Sequence, residues 1–398
     1  MGFPIVPVVM LHMVNDQKDK HPWPWLITPV EIFEDYLRFL KDQKYTTITF
    51  TELYSYLNYG KGIPSKSIVL TFDDGYLDTW VNVYPLLVKY DMKGIVLVSS
   101  DFIDRSSGIR PNLEDLWSSK VTNKEINDIG YLREDEIVEM DKSGVFEIGA
   151  HCKTHSRVFC TDRVISFHKK GNKDNPWLAW NLHPECRLFW QDMDFSELIP
   201  EGTIIYEKGM ATSERKYIPD PKLQEHIYQF INIRGKDTLN KRNWKSILLK
   251  QISNWRSENI DCGRYETEAE QYDRLIEEIV SPKIYLEDLL NHPVNYLCWP
   301  GGGSSELSWQ IAREAGYLAT TVRSHPNQFG KRIDMIDRLS IRLVNIPVIG
   351  REINKILFKY AISKYTQKFP YYQLWAIKRI LRNQSIQKPV KFGPSKEY

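Results

Sequence analysis

Apolar runs and amphipathic stretches alternate along the first 150 residues of the chain. Five apolar runs have the pattern of β-strands, and they cover 5–12, 46–50, 67–72, 95–99 and 145–148. Between them, apolar residues at helical spacing predict helices over 29–42, 79–90 and 133–143. Strands that alternate with helices usually pair in parallel. The pattern therefore predicts an α/β fold, in which the parallel sheet is either open or closed into a barrel.

Two adjacent carboxylates follow one of these runs, in the segment TFDDGY of residues 71–76. Neighbouring residues of a strand face opposite sides, but Gly75 allows the chain to turn, so that Asp73 and Asp74 can reach one site. Such a pair can divide two tasks, because one carboxylate can bind a metal ion while the other takes a proton. An isolated Asp-Asp-Gly sequence, by contrast, is more often an ordinary turn.

Two histidines follow another apolar run about 75 residues later. His151 and His155 are four positions apart, and a helical or tightly turned backbone would bring both to one metal ion. The ordinary alternative is a pair of surface or core histidines. The combination with the two aspartates favours a metal site, because the ends of parallel strands carry the chemistry of open sheets and barrels.

These segments resemble the NodB-type polysaccharide deacetylases (carbohydrate esterase family 4), in the branch whose opening strand carries a Met-x-His element. The sequence PVVMLH at 7–12 corresponds to that strand, 71–76 to the first catalytic motif, and the histidine pair to the second. The sequence WPGG at 299–302 is similar to the third motif. The resemblance covers most of the chain, and it implies a deformed (β/α) barrel rather than an open sheet.

The resemblance also implies roles for these side chains. A divalent metal ion, for which zinc best suits the ligand types, would acidify water and polarise the substrate carbonyl. Its ligands would be Asp74, His151 and His155. Asp73 would act as the general base, and His12 as the general acid that protonates the leaving amine. His12 could instead be a supporting or core histidine.

The chain departs from the family pattern in two places. The third motif usually has an arginine two positions before its proline, where it contacts the catalytic aspartate, but this position is Cys298. Nor is there a clear late Leu-x-x-His motif, since His325 is more typical of a loop. Two further possibilities are that the Tyr76 backbone N–H completes an oxyanion site and, less favoured, that Cys152 joins the metal.

The alternation of strands and helices stops between about 158 and 292, where several tryptophans precede a long helical pattern at 266–280. Long insertions at the catalytic end of a barrel often shape substrate access. We interpret this one as a lid or substrate-binding subdomain, with a plain structural elaboration as the alternative. The predicted organisation is a first barrel part (1–157), the insertion (158–292), the rest of the barrel (293–345) and a basic C-terminal extension (346–398).

That extension is strongly basic, with 11 Lys or Arg and 2 Asp or Glu between 351 and 398, although the whole chain has a net charge of +2. Apolar residues repeat at helical spacing within it, at Ile353, Ile356, Leu357 and Tyr360, and a second aromatic set follows Pro370. Such a tail could lie on an anionic membrane surface. It could equally form helices that pack on the catalytic domain or on a second subunit. No nucleic-acid recognition module accompanies the charge.

The remaining composition indicates a cytoplasmic enzyme. Hydrophobic residues are 42% and charged residues 26% of the chain, as in ordinary globular proteins. The five cysteines are scattered and odd in number, which favours reduced thiols. The first residues lead directly into a predicted strand without the pattern of a signal peptide.

The predicted reaction is the removal of an N-acetyl group from an amino sugar. A cytoplasmic location favours a lipid-linked or nucleotide-linked glycan precursor as the substrate. One alternative is a deformylase or other amide hydrolase that acts on a lipid-linked amino sugar. Another is a non-catalytic glycan-binding partner of a polysaccharide biosynthesis complex, whose chemistry is weakened by the change at Cys298.

Overall fold

The structure is a computed structural model that describes residues 3–17, 23–258, 263–322, 326–330, 334–341, 343 and 349–367. Its strands are β1 (Val8–Leu11), β2 (Met13–Val14), β3 (Ile27–Thr28), β4 (Thr46–Thr47), β5 (Ser67–Asp74), β6 (Gly94–Val98), β7 (Phe146–Ala150), β8 (Arg157–Phe167), β9 (Ile204–Met210), β10 (Tyr217–Pro219), β11 (Gly263–Tyr265), β12 (Tyr296–Leu297), β13 (Ala319–Val322), β14 (Met335–Asp337) and β15 (Leu339–Ser340). Its α-helices are α1 (Val30–Asp42), α2 (Phe50–Tyr59), α3 (Tyr84–Tyr90), α4 (Leu113–Trp117), α5 (Glu134–Lys142), α6 (Pro176–Leu182), α7 (Pro221–Arg234), α8 (Trp244–Glu258), α9 (Glu268–Leu290), α10 (Glu306–Glu314) and α11 (Gly350–Tyr365).

A parallel sheet forms the centre of the molecule. Eight of its strands follow the order β14-β13-β12-β7-β6-β5-β1-β15, and β4 pairs separately with the start of β5. The pairings along this path are all parallel. The carboxyl ends of these strands therefore lie at the same end of the sheet, where the predicted site residues of β5 and β7 are expected to meet.

The two ends of this sheet come together. Its end strands, β14 and β15, are separated in the chain by Arg338 alone, yet β14 pairs with β13 and β15 pairs with β1. Asn327 reinforces the junction, since its carbonyl accepts the Val6 N–H at 2.9 Å and its side-chain amide donates to the Asp337 carbonyl at 2.8 Å. The sheet is thus a nearly closed barrel with helices around it, which confirms the predicted fold class.

Both faces of the central strands are buried. In β5, Ile68, Leu70 and Phe72 pack in the layer between the sheet and the helices, whereas Val69 packs inside the barrel. Alternate side chains of a strand point to opposite faces, and a strand covered on both sides reads as a continuous apolar run. This is why the sequence marks β5 and β6 so clearly.

The region after β8 adds two smaller apolar clusters to the barrel. The antiparallel pair β8 and β9 joins them, and its register shifts at two points. One cluster is rich in aromatic residues and includes Trp177, Trp180 and Trp190, while the other lies between β9 and the helices α7 and α8. The long helix α9 is different, because its Leu275 and Ile279 pack in the main barrel core.

The start of the basic extension packs on the barrel. Helix α11 buries Phe358 and Ile362, and the Phe358 ring stacks on Tyr36 of α1 with centroids 4.0 Å apart. Ile356, which belongs to the apolar face predicted from the sequence, is exposed. The face that packs on the barrel is formed by Asn354, Phe358 and Ile362 instead. The second aromatic set, after Pro370, lies outside the described residues. Within the described part of the chain, no helix has both the length and the apolarity needed to cross a bilayer.

Candidate metal centre and catalytic site

A sharp turn at the end of β5 brings both aspartates to one place. Asp74 and Gly75 both have φ angles of 75°, so two successive residues adopt the left-handed conformation. This conformation is natural for glycine but costs energy for an aspartate, and such strain is typical of functional sites. Asp73 and Asp74 are both buried, as expected for side chains at the centre of a barrel mouth.

The two histidines follow β7 in a tight loop rather than a helix. Cys152 and His155 have φ angles of 60° and 47°, so the chain turns through the left-handed region twice between β7 and β8. As a result, the Nε2 atoms of His151 and His155 lie 3.1 and 3.2 Å from Oδ1 of Asp74. The three side chains predicted as metal ligands therefore lie together.

These three residues fit a divalent metal ion. Their candidate ligand atoms all lie within 4.8 Å of one another. Oδ1 of Asp74 is buried and, among the described residues, has no hydrogen-bond partner of suitable geometry, although two imidazole nitrogens are near. A buried carboxylate oxygen without a partner is costly. One aspartate and two histidines are a common ligand set for zinc and similar ions, with room for water and substrate.

His151 is oriented by the strand beside it. Its Nδ1 lies 2.9 Å from the carbonyl oxygen of Cys298, which follows β12. A ligating histidine normally donates its other ring N–H in this way, because the bond fixes the tautomer and directs the free nitrogen at the ion. Cys152 does not orient a ligand in this way. Its buried Sγ faces the same carbonyl at 3.9 Å, and burial raises the pKa of the thiol well above its ordinary value.

A second group of possible ligands, Asp73, His151 and Cys298, is also close enough to share an ion. The Arg338 guanidinium lies against two of its members, 2.6 Å from Oδ1 of Asp73 and 2.9 Å from Sγ of Cys298. A buried positive charge in this position repels a metal cation. We therefore favour the group that contains Asp74.

Arg338 is the residue that sequence reasoning missed. The family pattern led us to expect an arginine at position 298, but the guanidinium that contacts Asp73 comes from the single residue that joins β14 to β15. Arg338 is itself almost fully buried, with 8% of its side chain exposed. Burial alone would raise the pKa of Asp73, but Arg338, His151 and His12 outweigh it and hold this pKa below the ordinary value.

His12 lies on the other side of Asp73. It follows β1 directly, and its Nε2 lies 3.9 Å from Oδ2 of Asp73, too far for a hydrogen bond. One fifth of its side chain is exposed, so it can reach a molecule in the barrel mouth. Its role as general acid stays a prediction, as does the oxyanion role of the Tyr76 N–H. His325 lies outside the described residues.

Part of the chain is similar to proteins that are already known. Residues 60–186 match the family model described as polysaccharide deacetylase, and this stretch includes both aspartates and both histidines. This part of the chain is therefore similar to the polysaccharide deacetylases. His12, Cys298 and Arg338 lie outside the matched stretch, so their assignment depends on the geometry described above.

Relatives of known sequence or structure are distant. "Putative polysaccharide deacetylase YxkH" of Bacillus subtilis (strain 168) is 32% identical over 93 residues, which are 23% of this chain and 31% of that protein. A de-N-acetylase from Aggregatibacter actinomycetemcomitans is 16% identical, with a TM-score of 0.50 over 84% of this chain and 93% of that one. The BpsB deacetylase domain from Bordetella bronchiseptica is 17% identical, with a TM-score of 0.49 over 84% and 95%. The first of these structures supports the fold alone.

Proposed function

We propose that this protein is a metal-dependent hydrolase that removes an N-acetyl group from an amino sugar. The observation that carries the proposal is the convergence of Asp74, His151 and His155 on one buried point, beside a second carboxylate that is paired with an arginine. One carboxylate at a metal and one free to take a proton are what amide hydrolysis by water requires.

The residues divide the chemistry between them. Asp74, His151 and His155 would hold the metal, most plausibly zinc, which when bound supplies a Lewis acid for the carbonyl and lowers the pKa of water. Asp73 remains ionised at neutral pH because its pKa is held low, so it can accept the proton of the attacking water. His12, near the same carboxylate, would return a proton to the amine as the C–N bond breaks.

The substrate proposed is a glycan precursor made in the cytoplasm, linked to a lipid or a nucleotide. The four described cysteines are free thiols, which suits a reducing compartment. The basic extension would favour anionic carriers, because lysine and arginine attract phosphate and anionic headgroups. Peripheral contact with the inner membrane face belongs to the same proposal.

The test is to measure the product released by the purified full-length protein from N-acetylated and N-formylated amino-sugar precursors. We expect the protein to release acetate, to lose this activity when a chelator is added and to recover it when Zn²⁺ is supplied. Asp74→Asn should lose metal and activity together, whereas Asp73→Asn should keep the metal but lose activity. Formate in place of acetate would indicate a deformylase. Binding of the glycan with no release of either acid, and full cellular function of Asp73→Asn, would instead identify a non-catalytic partner.

A further inference from the structure

A buried glutamate on helix α9 holds the loop that joins the two histidines. Glu278 is 124 residues away from this loop in sequence, within the region predicted as an insertion. Its side chain is 6% exposed, and no role is assigned to it by the deacetylase motifs. Its carboxylate and its backbone carbonyl both accept hydrogen bonds from residues between His151 and His155.

The backbone of Glu278 makes the first of these contacts. Helix α9 contains Pro282, which has no N–H and so cannot bond the carbonyl four residues earlier. That carbonyl belongs to Glu278, and it accepts the backbone N–H of Lys153 at 3.0 Å. The neighbouring carbonyl of Ile279 accepts the Tyr317 hydroxyl at 3.0 Å. The proline thus frees the Glu278 carbonyl, which the loop between the histidines uses.

The carboxylate of Glu278 makes the other contacts. One oxygen accepts the backbone N–H of Thr154 at 3.0 Å, and the other accepts the Thr154 hydroxyl at 2.5 Å. A buried carboxylate is tolerated only when hydrogen bonds replace its water. Glu278 therefore binds the two consecutive residues Lys153 and Thr154, which lie directly before the ligand His155.

The loop requires such restraint because its conformation is unfavourable. Two non-glycine residues, Cys152 and His155, have left-handed φ angles, and such a conformation persists only where the surrounding structure holds it. The backbone also holds the loop, since the Asp101 N–H donates to the Lys153 carbonyl at 3.1 Å. The segment between the ligands is thus held by two elements, the turn after β6 and α9.

We propose that Glu278 is a positioning residue for the metal centre, which sets the spacing of the His151 and His155 imidazoles through Thr154. This inference rests on the proposed metal-dependent function. It also assigns a role to α9, since the helix packs in the barrel core and contacts the loop between the two histidines. Partners that orient ligands from behind commonly affect metal affinity by about 10–100-fold when they are changed.

The experiment compares Zn²⁺ affinity and the Co²⁺ absorption spectrum of full-length variants, using competition with a chromophoric chelator. Glu278→Met keeps much of the side-chain volume but removes both carboxylate acceptors of Thr154, so we expect its affinity for Zn²⁺ to fall by about tenfold or more. Thr154→Val should produce a similar loss, and Thr154→Ser, which keeps the hydroxyl, should restore most of the affinity. The Co²⁺ spectrum should change in the first two variants only.

Glu277→Met is the matched control. Glu277 lies on the same helix and pairs with Lys153 of the same loop at 2.7 Å, but 61% of its side chain is exposed. This substitution should leave the Zn²⁺ affinity and the Co²⁺ absorption spectrum as in the wild type. Wild-type affinity in Glu278→Met would overturn the inference alone, and wild-type affinity in Thr154→Val would do so if Glu278→Met does not fold. If the wild-type protein binds neither ion, the metal site and the positioning role are both wrong.

Discussion

At the scale of the residue, the site depends on where one guanidinium comes from. The third motif has a cysteine where an arginine was expected, and Arg338 reaches the same carboxylate from the junction of β14 and β15. The Cys298 thiol fits under it, with Sγ 2.9 Å from Nη2 of Arg338. A small residue at 298 therefore leaves room for an arginine that arrives from another strand.

Replacing Arg338 by methionine should remove the orientation of Asp73 and its low pKa. Since general base catalysis contributes about 10²–10⁴-fold, we expect kcat to fall by about 10²-fold or more. Without the arginine the pKa of Asp73 rises, so the acidic limb of the kcat/KM profile should move to higher pH. Acetate release across pH, with Zn²⁺ affinity measured in parallel, checks both effects.

Two further variants bracket this result. Arg338→Lys keeps the charge but not the two-pronged contact of the guanidinium, so its kcat should lie between those of Arg338→Met and the wild type. Cys298→Ala leaves the Arg338–Asp73 pair intact, and its activity should change by a few-fold at most. Full activity of Arg338→Met at every pH would show that Asp73 does not depend on this guanidinium. Breaking a buried pair can cost about 3–5 kcal/mol, so assays belong at a temperature where the variant is folded.

At the scale of the element, the sequence predicted the strands and helices whose pattern is local. Helix α1 was predicted at 29–42 and is observed at Val30–Asp42, and β5 and β6 lie within a residue or two of their apolar runs. The predicted strand at 46–50 is shorter, because Thr49 caps α2 and the helix begins at Phe50. Local patterns cannot show where a helix packs, so the sequence did not reveal that α9, which falls within the predicted insertion 158–292, packs in the barrel core.

The same limit explains which site residues could be found. Short motifs next to strands contain four of them, Asp73, Asp74, His151 and His155, and for that reason the sequence could predict these residues. Arg338 and Glu278 have no motif, and they reach the site only through closure of the barrel and through a proline in α9. Contacts made over 265 and 124 residues of chain depend on tertiary structure, which spacing alone does not reveal.

The junction between α9 and α5 should make stability depend on pH. Nε2 of His292, just after α9, lies 2.8 Å from Oδ2 of Asp141 in α5. Partial burial lowers the pKa of His292, but Asp141 and the Pro293 carbonyl raise it, and the net result is above the ordinary value. The protonated histidine therefore stabilises the fold below about pH 6.5, and this contribution is lost as the pH rises through the folded-state pKa.

His292→Gln should remove that dependence. The free energy of unfolding, measured by urea titration between about pH 6 and pH 8, should fall with pH more in the wild type than in the variant. Because 44% of the His292 side chain is exposed, the difference should stay below about 1 kcal/mol. A variant with the same slope as the wild type would show that the ion pair contributes nothing.

Helix α11 should contribute to the stability of the barrel. Phe358 is 1% exposed and lies between Tyr36 and Phe39 of α1, so Phe358→Ala should lower the free energy of unfolding by about 3–5 kcal/mol. Ile356, on the same helix, is 58% exposed, and Ile356→Ala should change it by less than about 0.5 kcal/mol. Equal effects of the two substitutions in chemical denaturation would contradict the packing described here.

At the scale of the whole molecule, the charge of the extension is distributed unevenly between its two parts. Three of the four cations of α11 have the following partners: Arg351 pairs with Asp35 and Glu31, Lys355 pairs with Glu352, and Lys359 lies over the Phe39 ring. Residues 368–398 contain seven further Lys or Arg and a single Glu. If the extension binds an anionic surface, this second part supplies the attraction.

The corresponding prediction separates membrane binding from folding. A chain that ends at Gln367 keeps Phe358 and Ile362 in the core, so its thermal unfolding should match that of the full chain. With vesicles that contain phosphatidylglycerol, the full chain should float and the shortened chain should not, because each lysine or arginine near such a surface contributes about 1 kcal/mol. The flotation should weaken as salt is added, since screening shortens the reach of these charges.

Replacing Lys378, Arg379 and Arg382 by glutamine should reduce flotation without changing acetate release from a soluble substrate. Equal flotation of the full and shortened chains would assign the basic extension to another partner and leave the barrel chemistry untouched.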